Sequence, residues 1–204
     1  MNNYALKLIT APTVEPVTTT EAKAHLAIDD STFDTQIDSF ISTARQVVEN
    51  HTSRQINTAT WELVTDAFPR IPTSKLALPK GELQTVDSVK YTDADGNEQT
   101  LASSEYQVSD SREPAVIQPA YTKSWPTTRV ELDAVRIRFT CGYGDASDVP
   151  EPIKQAILLL VGHYFEHRES VLVNATPQVL PMAVDSLIAQ YYLGDQFTWY
   201  APAN

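Results

Sequence analysis

The stretch Asp148–Ser170, DVPEPIKQAILLLVGHYFEHRES, decides how this chain is read. It supports two incompatible readings. In the chemical one, His163-Tyr164-Phe165-Glu166-His167 has the H-x-x-E-H spacing of a zinc peptidase helix. In the structural one, Ile153–Phe165 is a helix that is apolar almost all round, which must be buried among neighbouring helices or other subunits. Asp148-Val149-Pro150-Glu151 opens it like a cap, with Asp148 at the N-cap, Pro150 in the first turn and Glu151 at N3. Glu166-His167-Arg168-Glu169 closes it with a polar end, where the helix dipole favours His and Arg.

The chemical reading lacks a ligand. His163 and His167 share a helix face, with Glu166 beside the second. A catalytic zinc needs a third protein ligand and an open position for water. The carboxylates downstream are Glu169, Asp185 and Asp195. Glu169 projects away from the line joining the two histidines, and Asp185 begins another helix. A zinc-dependent hydrolase using His163, Glu166 and His167 is therefore the alternative reading. The expectation is a non-enzyme with no cofactor and no bound metal.

Outward from this stretch, the chain reads as helices, then strands, then helices. Thr18-Thr19-Thr20-Glu21 fits a capping box, with Thr18 as N-cap and Glu21 at N3, for a short helix to about Ile28. From Phe33, the residues Ile37, Phe40, Ile41, Ala44, Val47 and Val48 keep helical spacing, with Asp34 and Asp38 early and Arg45 late, as the dipole prefers. Between Ile56 and Cys141 short alternating runs take over. Thr60–Asp66, Ser88–Thr92, Glu105–Ser109, Ala115–Gln118 and Ala134–Cys141 are the strand candidates, and Asp93-Ala94-Asp95-Gly96-Asn97 is a hairpin turn. Pro69, Pro72, Pro79, Pro114, Pro119 and Pro126 predict short, edge-rich strands rather than a deep central sheet. A last helix over about Ala183–Tyr192 carries Val184, Leu187, Ile188 and Tyr191 on one stripe and stops at Gly194. The tail Gln196–Asn204 crowds Phe197, Trp199 and Tyr200 into a segment too short for its own core, which suits docking to a partner.

Composition narrows the function classes. The net charge of −11 argues against a surface that grips nucleic acid, yet suits a passage through which DNA must slide without sticking. No apolar run approaches the ~18 residues of a membrane span, and the N-terminus lacks the apolar core of a signal peptide, so synthesis in the cytoplasm and no membrane contact are expected. The single cysteine, Cys141, ends the alternating run Val135, Ile137, Phe139 on its apolar parity and reads as a buried small hydrophobe. Gly142-Tyr143-Gly144-Asp145 begins like a phosphate-cradling loop, but Ser147 stands where a third glycine belongs. A tight strand-to-helix turn is the better account.

Several pieces, taken in order, resemble the head–tail connector (adaptor or head-completion) proteins of tailed bacteriophages and gene transfer agents. They are Pro16–Leu26, Ala44-Arg45 through Val48-Glu49, Thr52–Gln55, Thr60-Trp61-Glu62, Ser124-Trp125-Pro126, Gly142–Asp145 running on to Val149-Pro150, and Ile153–Ile157 leading to His163–Glu169. The segment Leu193–Asn204 departs from the pattern. The resemblance implies a helical bundle with a variable insertion. It also implies a ring of about a dozen copies under the portal at the capsid vertex, extending the DNA channel and offering a surface to the next neck protein, a stopper or tail-completion protein.

The expectation is thus an α+β fold: a mainly helical four-helix core with an inserted small antiparallel β subdomain. Residues 1–55 and 142–193 form the helical pairs, 56–141 the β-rich insertion, and 194–204 the docking tail. Ile153, Ile157, Leu159, Leu160 and Tyr164 are the core and oligomer residues of the long helix; Phe197, Trp199 and Tyr200 are the docking residues. The expected place is the virion neck, after synthesis in the bacterial cytoplasm. A cytoplasmic assembly or interaction module is a further alternative.

Overall fold

The computed structural model describes residues 4–71, 73–167 and 182–194. Eight strands and four α-helices occur among them: β1 (Tyr4–Thr10), α1 (Thr19–Leu26), α2 (Asp34–Thr52), β2 (Ala59–Thr65), β3 (Leu76–Leu78), β4 (Leu83–Thr92), β5 (Glu98–Leu101), β6 (Tyr106–Ser109), β7 (Ala115–Pro119), β8 (Val135–Cys141), α3 (Glu151–Glu166) and α4 (Met182–Ile188). They fall into two compact units. One takes the described residues of 1–12, 58–142 and 193–204, the other those of 13–57 and 143–192.

The four expected helices are present, but the expectation of a mainly helical core is overturned. The strands build two antiparallel sheets with a hydrophobic core of their own, a five-stranded one in the order β1-β2-β8-β4-β5 and a three-stranded one in the order β3-β7-β6. The physical reason lies in where the prolines fall. Pro119 closes β7, and Pro69, Pro79, Pro114 and Pro126 lie between strands, so β8 carries none and takes the sheet centre. Its alternation puts Val135, Ile137, Phe139 and Cys141 into the core. Ile137 and Phe139 pair with Leu63 and Trp61 of β2 on one side, and Ile137 and Val135 with Val89 and Tyr91 of β4 on the other. Leu76, Leu78 and Ile117 of the smaller sheet complete that core. The opposite face is charged: Arg138 donates to Glu62 at 3.0 Å, while Arg136 and Lys90 meet Glu98 at 2.6 and 2.9 Å.

The strand β1 has no counterpart in the sequence reading. Its partner β2 lies far along the chain, with Leu6 opposite Leu63. The hairpin at Asp93 forms as its turn residues predict. The Asp93 carboxylate accepts from the N–H groups of Asp95 and Asn97, and Gly96 takes φ +91°.

The helical unit packs one core from all four helices. Ala22 of α1 meets Ile37, Ile41, Ala44 and Val48 of α2, the inward face of α3, and Val184 and Ile188 of α4. The capping box forms: Thr18 Oγ1 accepts from Glu21 N–H at 3.2 Å, and Glu21 Oε2 accepts from Thr18 N–H at 2.7 Å. No helix among the described residues is long and apolar enough to cross a membrane.

Candidate functional site

The helix α3 begins later than its cap signature implies. Asp145 and Asp148 form a capping box around the short 3-10 turn Ala146–Asp148 instead. Pro150 then holds Val149 extended, as the residue before proline prefers, and becomes the N-cap of α3 itself. The preceding glycines make the tight turn: Gly142 and Gly144 take φ +121° and +113°, and Tyr143 N–H donates to Ile56 C=O at 2.8 Å. A Cβ at Gly144 would stand 3.0 Å from Asp148 Oδ2, so the turn itself calls for glycine there. Cys141, at the end of β8, is fully buried.

Along α3, Ile153, Ala156, Ile157, Leu160 and Val161 are buried in the unit's own core. Leu159 and Tyr164 are half-buried against it, with Tyr164 facing Phe40 at 6.0 Å between ring centroids. Burial raises the Tyr164 phenol above its ordinary value. Phe165 meets Phe33 edge-on at 5.5 Å. The apolar circumference of α3 is therefore largely accounted for by α1, α2 and α4.

The H-x-x-E-H residues come together only in part. The His163 and His167 rings stand 4.9 Å apart, but His167 has left the helix, with φ −111° and ψ 72°. Glu166 is exposed. Asp185 on α4 is engaged elsewhere, 3.0 Å from His51 Nε2. No group of three His, Cys, Asp or Glu side chains placed to hold a metal occurs among the described residues. Glu169 and Asp195 lie outside them, as do Phe197, Trp199 and Tyr200.

A buried polar cluster at the end of α2 was not read from the sequence. Arg45, expected merely to complement the dipole, is buried and fixed between two carboxylates, donating from Nε to Glu15 at 2.7 Å and from Nη1 to Glu49 at 2.8 Å. Burial pulls its pKa down, but Glu15 and Glu49 more than offset this and hold it above the ordinary value. The second Glu49 oxygen accepts from Gln55 Nε2 at 2.6 Å and from Ile56 N–H at 3.0 Å. The available signal was the i,i+4 spacing of Arg45 and Glu49 beside the resembling piece Thr52–Gln55. This arrangement offers no nucleophile, acid–base pair or cofactor cradle. It fixes the chain's path out of α2, and so gives the unit a set shape.

A family model described as head completion protein matches residues 15–176. Comparison with curated proteins finds no match. Among solved structures, the chain is similar to a component of the neck of an empty gene transfer agent particle described with sixfold symmetry, at 22% identity and a TM-score of 0.75, covering 92% of this chain and 94% of that one. A component of the virion of the native gene transfer agent particle is similar at 22% identity and a TM-score of 0.73, covering 91% and 94%. A component of the native neck with twelvefold symmetry is similar at 23% and 0.64, covering 92% and 94%. At these identities the likeness concerns the fold.

Proposed function

We propose a structural role at the head–tail junction for this chain, which belongs to the head completion protein family. Copies assemble as a ring of about a dozen on the portal, extend the DNA channel, and offer the attachment surface for a stopper or tail-completion protein. The protein is made in the bacterial cytoplasm and ends in the virion neck. The family match across residues 15–176, reaching into both units, is the observation that carries this reading. The likeness in fold to gene transfer agent neck components supports it.

Charge adds a second support and sharpens the role. The helical unit, residues 13–57 and 143–192, holds five Lys and Arg against thirteen Asp and Glu; the remaining residues hold ten against thirteen. Acidity is thus concentrated where α1–α4 lie. On this reading the helical unit faces the DNA, which passes through a channel that repels phosphate and holds no sequence. Ile153, Ile157, Leu159, Leu160 and Tyr164 hold the core that keeps that unit rigid, and Phe197, Trp199 and Tyr200 dock on the portal or a neighbouring copy. Mass spectrometry of purified particles tests the role. The chain should be present in the virion at a fixed ratio to portal, and particles made without it should carry heads that fail to join tails. Complete particles lacking the chain would identify it instead as an assembly module that never enters the virion.

A further inference from the structure

The connection between β7 and β8 exposes aliphatic side chains on a firmly held loop. Its base is pinned by Trp125, which stacks on Phe68 with ring centroids 4.7 Å apart and donates from Nε1 to Ser74 C=O at 2.8 Å. Arg129 N–H bonds Thr92 C=O at 3.1 Å, and Asp133 N–H bonds the Asp66 carboxylate at 3.0 Å. Between these two ties, Val130 and Leu132 are 102% and 82% exposed. A loop that is free to move could fold such residues inward. This one is held with them in water, an arrangement that suits insertion into a partner.

The same unit carries an open groove of about 330 Å³ lined by the apolar Leu83, Val86, Tyr106 and Val108 together with the polar Gln84, Thr85, Ser103 and Asp110. A cavity of about 150 Å³ accepts a benzene, so this groove has room for two aliphatic side chains. Groove and loop lie at opposite ends of one sheet. Leu83 pairs with Cys141, at the end of β8, whereas Tyr91 pairs with Val135, at its start beside the loop. The strand rise separates those ends by about 20 Å, so a copy cannot fill its own groove with its own pinned loop.

We propose that Val130 and Leu132 of one copy seat in the Leu83–Val108 groove of the next, where Arg129 exchanges its exposed 3.7 Å pairing with Glu131 for Asp110 of the next copy. This rests on the ring reading above and names its contact. A knob and a groove at different places on one chain make a head-to-tail interface, which closes into a ring when the rotation allows. The two aliphatic side chains anchor the interface rather than supply its whole area.

Disulfide trapping in the full-length chain tests it, since the native Cys141 is buried. The double variant Leu132→Cys with Val108→Cys should give a ladder of covalent dimers, trimers and higher species under oxidation, while each single variant gives none above dimer. Leu132→Asp should lower the yield of rings about tenfold or more. Asp110→Arg should lower it as well, and adding Arg129→Asp should restore it. Rings at wild-type yield in these variants, with no ladder, would overturn the contact and leave the ring standing. A wild-type chain that makes no ring, alone or on portal, would remove both.

Discussion

Arg45 and Glu49 lie one turn apart on α2, both buried, with Arg45 Nη1 2.8 Å from Glu49 Oε2. The pair is a junction rather than an ornament of the helix surface. Glu15 closes on Arg45 from the preceding loop, and Glu49 ties down Gln55 and the Ile56 backbone. Removing the cation leaves the Glu49 carboxylate buried with its hydrogen bonds from Gln55 and Ile56 but without the opposing charge of Arg45. Arg45→Met should therefore cost about 3 kcal/mol of stability, seen as a lowered urea midpoint at unchanged m-value. A loss within a few tenths would show that water reaches the site and screens it.

The cap of α1 makes a pH-dependent prediction. The Thr18 N–H, and next its hydroxyl, hold the Glu21 carboxyl below its ordinary value of 4.5. A carboxylate depressed in the folded state contributes stability above its unfolded pKa, and that contribution is lost as pH falls through the folded value. Thr18→Ala should cost about 1 kcal/mol at neutral pH. The gap to wild type should narrow below pH 4.5, when wild type also loses the charged bond. Thermal melts at pH 7 and pH 3.5 check this; a gap that widens on acidification would contradict it.

Where α3 passes α1, Gly162 sits inside the helix. A Cβ there would meet His25 Nε2 at 3.7 Å and Leu26 Cδ2 at 3.9 Å, ordinary contact distances. Gly162→Ala should raise stability by up to about 1 kcal/mol, because alanine loses less backbone entropy on entering a helix. Destabilisation in a thermal melt would mean that α1 needs that spacing.

These helices were legible because each signal is local. The Thr18–Glu21 box, the spacing from Ile37 to Val48 and the alternation of Val135–Cys141 all appear where they were read. The weight of the β structure was not legible. β1 is completed by a partner fifty or more residues away, and the Leu76–Leu78 strand is too short to show a period. Scattered prolines make the region look like fragments, although among the described residues they sit between its strands or, for Pro119, at a strand end. The candidate site divided in the same way. The H-x-x-E-H pattern stood out in sequence, but the helix ends before His167. The buried Arg45 cluster stayed hidden because a long charged side chain on a helix is usually a solvated one.

Leu159 is half-buried against the helical core. Leu159→Asp places an unpaired charge there and should abolish folding or ring assembly. Circular dichroism and size-exclusion chromatography of the variant read the two outcomes separately. A folded, normally assembling protein would show that this side of α3 tolerates water.

The central claim is that copies of this chain form a ring on the portal. Negative-stain imaging with mass measurement, on the chain alone and mixed with portal, tests it most directly. Rings on portal, of about a dozen copies, are predicted, with weaker attachment once Gln196–Asn204 is removed. A chain that stays monomeric and leaves portal bare would contradict the account.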